Sequence, residues 1–185
     1  LGYDGKIEWK QTAQGLVVAL PTKRISEFTA ALKITGTQLQ NIPFTVPVQA
    51  LVPDAQGNLK LGADDAELHG DQIKTENQGG QPNIGFWDKA DEWVSWKVRF
   101  SQPGVFDVTA ECAAANGGTE FVIEIAGQKL AAKSGNTGSW DKFETVKVGR
   151  VEVSQTGEQT IAVRPREAAT WKAMNLRGLK LAKSP

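Results

Sequence analysis

Glu92-Trp93-Val94-Ser95-Trp96-Lys97-Val98-Arg99-Phe100 sets Val94, Trp96, Val98 and Phe100 on one side of an extended segment and Ser95, Lys97 and Arg99 on the other. That period of two is the pattern of a strand with one buried face. The same alternation recurs along the chain. Phe121, Ile123 and Ile125 share a face, and the run turns at Gly127-Gln128 before Leu130. Phe106, Val108, Ala110 and Cys112 share another, and Thr160 to Val163 and Leu176 to Leu181 continue the theme. Two runs change parity at a glycine. Val146 and Val148 give way to Val151 and Val153 across Gly149, and Leu176 gives way to Leu179 and Leu181 across Gly178. An odd step in a period-two pattern predicts a β-bulge or a strand break. Clusters of Gly, Pro, Asn and Ser separate the runs, and no long 3.6-residue period intervenes. The fold is therefore expected to be all-β, a sandwich or jelly roll over residues 59–185.

The first 40 residues read differently. Lys6-Ile7-Glu8-Trp9, Gly15 to Pro21 and Ala30 to Gly36 make about three short strands, with Trp9 on the face of Ile7 and so expected in a core. Three strands are stable only when one face is covered. Residues 41–58 hold Pro43, Pro47 and Pro53 and read as an extended linker. The chain opens on Leu1 and is expected to be part of a larger protein.

Composition narrows the functional classes. Lys plus Arg and Asp plus Glu both number 21, so the formal net charge is zero and neither nucleic acid nor a membrane is expected as a partner. The single cysteine, Cys112, excludes an internal disulfide and reads as a small buried hydrophobe. The single histidine, His69, has no second ligand to make a zinc site. Acidic residues are plentiful, but no motif singles out a catalytic pair, a nucleophile elbow, a metalloprotease helix or a phosphate loop. No catalytic residue is expected, and this stretch is not expected to be an enzyme by itself.

Two resemblances extend the reading. Trp9, Gly15-Leu16-Val17-Val18-Ala19-Leu20-Pro21 and Ala31-Leu32-Lys33-Ile34 resemble the last strands of the C-terminal β-sandwich of family 29 α-L-fucosidases. The resemblance implies that residues 1–40 are terminal strands of a preceding β-sandwich domain, and that the parent is a secreted or periplasmic glycoside hydrolase. Its catalytic domain would be a partner in the same chain. The remainder resembles carbohydrate-binding modules of families 6 and 35, which are galactose-binding-like jelly rolls. The matching pieces are Ala66-Glu67, Gly85-Phe86-Trp87-Asp88, Pro103 to Val108, Gly117 to Phe121, Thr137-Gly138-Ser139-Trp140 and Asn175-Leu176. The resemblance implies a glycan or polysaccharide ligand and a structural calcium, with Glu67 as its candidate ligand. Arg177 stands where these families often carry an Asp that helps to hold that calcium.

Location sorts the six tryptophans. Trp96 belongs to the apolar face of its strand. Trp87, Trp140 and Trp171 lie in turn-rich segments, where a large apolar ring facing water calls for a reason. The C–H face of a pyranose supplies one, by stacking. Phe86 and Trp87 are neighbours, so on an extended segment one should face the core and the other the site. Trp87, Trp140 and Trp171 are read as the platform, with Phe86 also a candidate and Asn175 bonding to sugar hydroxyls. Asp64, Asp65, Glu67 and Asp71 form an acidic cluster with oxygen ligands of the type calcium uses, or a solvated face. A second reading stays open: a structural or interaction module that binds no small ligand, its tryptophans plugging the end of the sandwich.

Overall fold

The computed structural model describes residues 5–12, 15–21, 32–36 and 50–184. The chain divides into two compact units, Leu1–Val46 and Pro47–Pro185. In the first unit, β1 (Trp9–Thr12) and β2 (Gly15–Val18) form an antiparallel hairpin that pairs Trp9 with Val18 and Thr12 with Gly15. Residues 32–36 form no strand, and residues 22–31, part of the third expected strand among them, lie outside the described residues. Trp9 is 66% exposed, against the expectation of a core position. A two-stranded ribbon has no second layer to cover a ring.

The second unit is a two-sheet sandwich. Its strands are β3 (Leu59–Gly62), β4 (Glu67–His69), β5 (Lys74–Gln78), β6 (Gln81–Gly85), β7 (Trp93–Phe100), β8 (Gly104–Ala113), β9 (Glu120–Ile125), β10 (Gln128–Lys133), β11 (Glu144–Val153), β12 (Gly157–Pro165) and β13 (Asn175–Lys183). One sheet runs β10-β9-β12-β7-β4, and the other runs β11-β8-β13-β6-β5 with β3 also paired to β13. All named pairs are antiparallel. Among the described residues there is no α-helix, and two single 3-10 turns occupy Ala63–Asp65 and Ala168–Thr170.

The alternation read from the sequence becomes the core. Val94, Trp96, Val98 and Phe100 of β7 meet Phe106, Val108, Ala110 and Cys112 of β8 in one cluster, each at most 2% exposed. Burying each of the larger side chains contributes about 1.5–3 kcal/mol. Trp96 is accommodated because its Nε1 donates to Gly62 O at 2.8 Å, which satisfies the one polar atom it takes inside.

Both expected glycine irregularities are present. The β11–β8 register shifts between Lys147 and Gly149, and the β13–β8 register shifts between Leu176 and Gly178. The second has a tertiary cause. One edge of β13 is shared by two strands: Leu176 pairs with Ile84 of β6, while Gly178 to Leu181 pair with β3. At the changeover a Cβ on Gly178 would collide with the Leu61 carbonyl.

The expected linker is corrected in part. Leu51 N donates to Lys97 O at 2.9 Å and Leu51 O accepts from Arg99 N at 2.8 Å, tying the segment to β7. Asp54 Oδ1 accepts from Gln56 N and Asn58 N, closing a tight loop before β3. Residues 50–58 thus belong to the sandwich, because a free edge of β7 recruits them. Residues 41–49 lie outside the described residues.

Two measurements test this account. Gly178→Ala should cost about 2–4 kcal/mol in urea unfolding, from backbone strain plus the clash with Leu61, whereas Gly149→Ala should cost about 1–2 kcal/mol from strain alone. Cys112 is fully buried, and burial pushes its thiol up to about 12. Alkylation by iodoacetamide at pH 8 should therefore be negligible in the folded protein and complete in guanidinium.

Candidate functional site

At one end of the sandwich four loops cross from sheet to sheet: residues 86–92 (β6 to β7), 114–119 (β8 to β9), 134–143 (β10 to β11) and 166–174 (β12 to β13). Backbone groups at such crossings have no ladder partner, so they bond to one another. Thr137 N donates to Ala114 O at 3.0 Å, and Ala114 N donates to Thr137 Oγ1 at 3.0 Å. Ser134 and Thr119 exchange a similar pair, and Lys172 N donates to Thr119 Oγ1 at 3.0 Å. Trp171 Nε1 donates to Trp87 O at 3.1 Å. The loops that carry Trp87, Trp140 and Trp171 are therefore joined by named bonds, directly or through the 114–119 loop.

The structure sorts the aromatic residues in a way that differs from the sequence expectation. Trp87 is 0% exposed, with Nε1 donating to Glu92 O at 3.0 Å. It presents no face to a ligand. Trp171 is half-buried against it, with ring centroids 5.1 Å apart, and closes the end of the core. Trp87 leaves the expected platform, because the gap between the two sheets at this end has to be filled by something large. Phe86 takes the outward place. It is 49% exposed and sits at φ 53, a left-handed conformation that a bulky side chain adopts only when its surroundings impose it. Among the described residues of this unit, Phe86 and Val52 are the large hydrophobic side chains left exposed. Trp140 is half-buried in the 134–143 loop.

Asn175 links the two aromatic residues. It opens β13, is 3% exposed, and its Nδ2 donates to Trp140 O at 2.9 Å. Its Oδ1 lies against Gly85, the neighbour of Phe86, 3.0 Å from where a Cβ there would stand. Glu76 of β5 leans into the same gap, and a Cβ on Gly85 would strike its carboxylate. Glu76 accepts from Asn83 Nδ2 at 3.2 Å and from Gln78 Nε2 at 3.4 Å. Gly85 thus opens a polar floor made by Glu76 and Asn175 between the Phe86 and Trp140 segments. Lys74 stands at the rim, its Nζ 3.8 Å from the Phe86 ring centroid. Glu76 and Lys74 were not singled out from the sequence. Their strand shows no apolar alternation, and only the β5–β6 register, with Lys74 opposite Gly85 and Glu76 opposite Asn83, brings them here.

Arg177 is committed elsewhere. It donates to Glu111 Oε1 at 2.7 Å and to Gln78 O at 3.3 Å, and stacks on Phe143 at 3.8 Å. Glu67 is exposed on β4, and among the described residues no three His, Cys, Asp or Glu side chains converge to hold a metal.

Two other surfaces were candidates on geometry. Trp93, on the outer face of the five-stranded sheet, is occupied from both neighbouring strands: His69 of β4 stacks at 3.5 Å and the Arg164 guanidinium of β12 lies 3.5 Å away. Burial, with the Arg164 charge, holds His69 below its ordinary pKa against the pull of Glu67. A groove of about 700 Å³ crosses the outer face of the six-stranded sheet beside Lys60, Glu111 and Lys180. No aromatic side chain lines it, so it offers no stacking surface.

Comparison with known proteins agrees with this fold. The family model described as carbohydrate binding module (family 6) matches residues 64–183. No curated protein matches the chain. The C-terminal CBM6 of the laminarinase LamC from Zobellia galactanivorans superposes with a TM-score of 0.55 at 22% identity, over 68% of this chain and 99% of that one. A CBM6 from Clostridium stercorarium in complex with cellobiose gives 0.54 at 21%, over 74% and 98%. The GH26-CBM35 β-(1,4)-mannanase of Podospora anserina gives 0.57 at 16%, over 70% of this chain but 28% of the enzyme.

The opposite roles of two adjacent residues can be separated by unfolding. Trp87→Ala should cost about 3–5 kcal/mol, as removal of a fully buried aromatic does. Phe86→Gly should leave the melting temperature unchanged or raise it, since glycine accepts the left-handed backbone without strain.

Proposed function

The chain belongs to carbohydrate binding module family 6, and from that premise we propose that it binds a glycan at the loop end through Phe86 and Trp140. The rings supply apolar faces for the C–H surface of a pyranose, and Asn175 and Glu76 bond to its hydroxyls. One observation carries this reading: an exposed aromatic held in a left-handed backbone directly above a polar floor. The burial of Trp87 turns residue 86 outward, but it does not call for a large ring there, since glycine would hold the same backbone without strain; a ligand explains the ring. Structures similar to this chain hold cellobiose, cellotriose and xylose, so short β-linked glucans and xylans are the first ligands to try.

We propose further that the module serves a secreted or periplasmic glycoside hydrolase, and that this parent is an α-L-fucosidase. The support is the Trp9 and Gly15–Pro21 resemblance, together with the appearance of related modules inside longer enzymes. The module itself is non-catalytic. Its partners are a polysaccharide and the catalytic domain of the same chain. The expected outcome is no hydrolysis of a nitrophenyl α-L-fucoside by residues 1–185 and hydrolysis by the longer protein.

Calorimetry tests the binding site. Affinity for a monosaccharide should be weak, on the order of 0.1–1 mM, because few atoms make contact. Trp140→Ala and Phe86→Ala should each abolish the heat of binding while shifting the melting temperature by roughly 2 °C or less. A glycan array without any hit would leave the module a structural spacer.

A further inference from the structure

We infer that the site takes a saccharide carrying an anionic group, a uronate carboxylate or a sulfate ester, and that Lys74 is the residue that selects it. This rests on the carbohydrate-binding reading above and names the class of ligand within it.

The argument starts from the strand register. Lys74 lies opposite Gly85, so no cross-strand side chain is available to pair with it. Among the described residues no carboxylate comes within ion-pair distance of its ammonium, as is the case for most of the described lysines; what distinguishes Lys74 is where it is held. Arg177, by contrast, is neutralised by Glu111 at 2.7 Å. Lys74 is instead folded over the exposed Phe86 ring, 3.8 Å from its centroid. An exposed cation over a ring gains only about 0.5–1 kcal/mol, so the contact positions the ammonium without saturating it. Beside that ring the ammonium stands where a sugar seated on Phe86 would meet it, with donors to offer.

The position has a second consequence. An ammonium over the ring covers part of the face on which a neutral pyranose would lie. A neutral sugar must displace Lys74 and lose the cation–π contact, whereas a sugar with an anionic substituent keeps the ammonium in place and adds a charge-assisted hydrogen bond. Glu76, two residues along the same face of β5, sets the orientation. It is an acceptor, so it takes the hydroxyl edge of the ring and repels an anion from the floor. The charged substituent is therefore directed away from Glu76 and toward the rim, where Lys74 stands. The site is bipolar, with a carboxylate beneath and a cation above.

The experiment measures affinity for matched polymers by gel retardation and calorimetry: polygalacturonate against its carboxyl-reduced form, and a sulfated galactan against its desulfated form. Lys74→Met, which keeps the apolar stem over Phe86, is measured beside the wild type. The expected result is a preference of about tenfold for at least one anionic member of a pair, weakened by salt and lost in Lys74→Met. The pair that shows it tells carboxylate from sulfate. Binding of neutral and anionic forms alike, or a preference that survives Lys74→Met, would overturn the inference while leaving the carbohydrate reading intact. Absence of binding to any polymer, on these pairs and on neutral β-glucans and xylans, would overturn both. Thermal unfolding of Lys74→Met should match the wild type, so loss of preference cannot be assigned to misfolding.

Discussion

Burying the indole of Trp87 takes a donor out of water, and that donor finds Glu92 O at 3.0 Å. Much of the loop end depends on this placement. The Glu92 carboxylate, itself 3% exposed, accepts from the backbone N–H groups of Asp71, Gln72 and Ile73 and so holds the turn between β4 and β5. Trp87 O in turn accepts the indole N–H of Trp171, which draws in the crossing between β12 and β13. An unpaired buried donor costs about 1–3 kcal/mol, so each bond in this chain fixes the next. With Trp87 facing inward, its neighbour Phe86 has no inward direction left. The backbone turns to φ 53 and the ring faces solvent. The exposed aromatic of the site is thus the counterpart of a buried one.

A similar economy governs β13. The strand is read by three neighbours, β8 along one edge and β6 and β3 in succession along the other. The bulge before Gly178 lets the strand meet both in turn. It keeps Leu176 inward at the β6 end and resumes with Leu179 and Leu181 inward at the β3 end. Asn175, one residue ahead of Leu176, falls on the outer face and reaches Trp140 O. The β5–β6 hairpin meets β13 only near Ile84, and its outer face brings Glu76 and Lys74 to the loops. Core register and site geometry are in this sense one decision, because a shift of one residue would move the polar floor to the other face.

Charge completes the description. The described arginines are each matched to a carboxylate, as in Arg150 with Asp107, where the guanidinium hydrogen bond holds the Asp107 carboxyl below its usual range. Such exposed pairs contribute little to stability. Lys74 is set apart by its place over Phe86 and by the residue opposite it, a glycine kept small so that Glu76 and Asn175 can approach. The feature that opens the floor also leaves the cation without a partner.

The sequence by itself determined the longer strands from β7 onward and their inward faces. Val94, Trp96, Val98, Phe100 and Phe121, Ile123, Ile125 are buried as their alternation requires, and the parity changes located both glycine irregularities. These features are local, because a period of two needs only neighbours along one strand. It also identified Trp140 and Asn175 as residues of one region. It placed Trp87 in the platform and Trp9 in a core, and missed Glu76 and Lys74. Those outcomes belong to tertiary structure. Whether Phe86 or Trp87 turns inward depends on the space between two sheets, and whether Trp9 is covered depends on a layer that its own hairpin cannot supply. Glu76 and Trp140 are brought to one gap by pairing that runs through β6 and β13, across many residues of intervening chain. No periodicity within a segment records which segment will lie beside it.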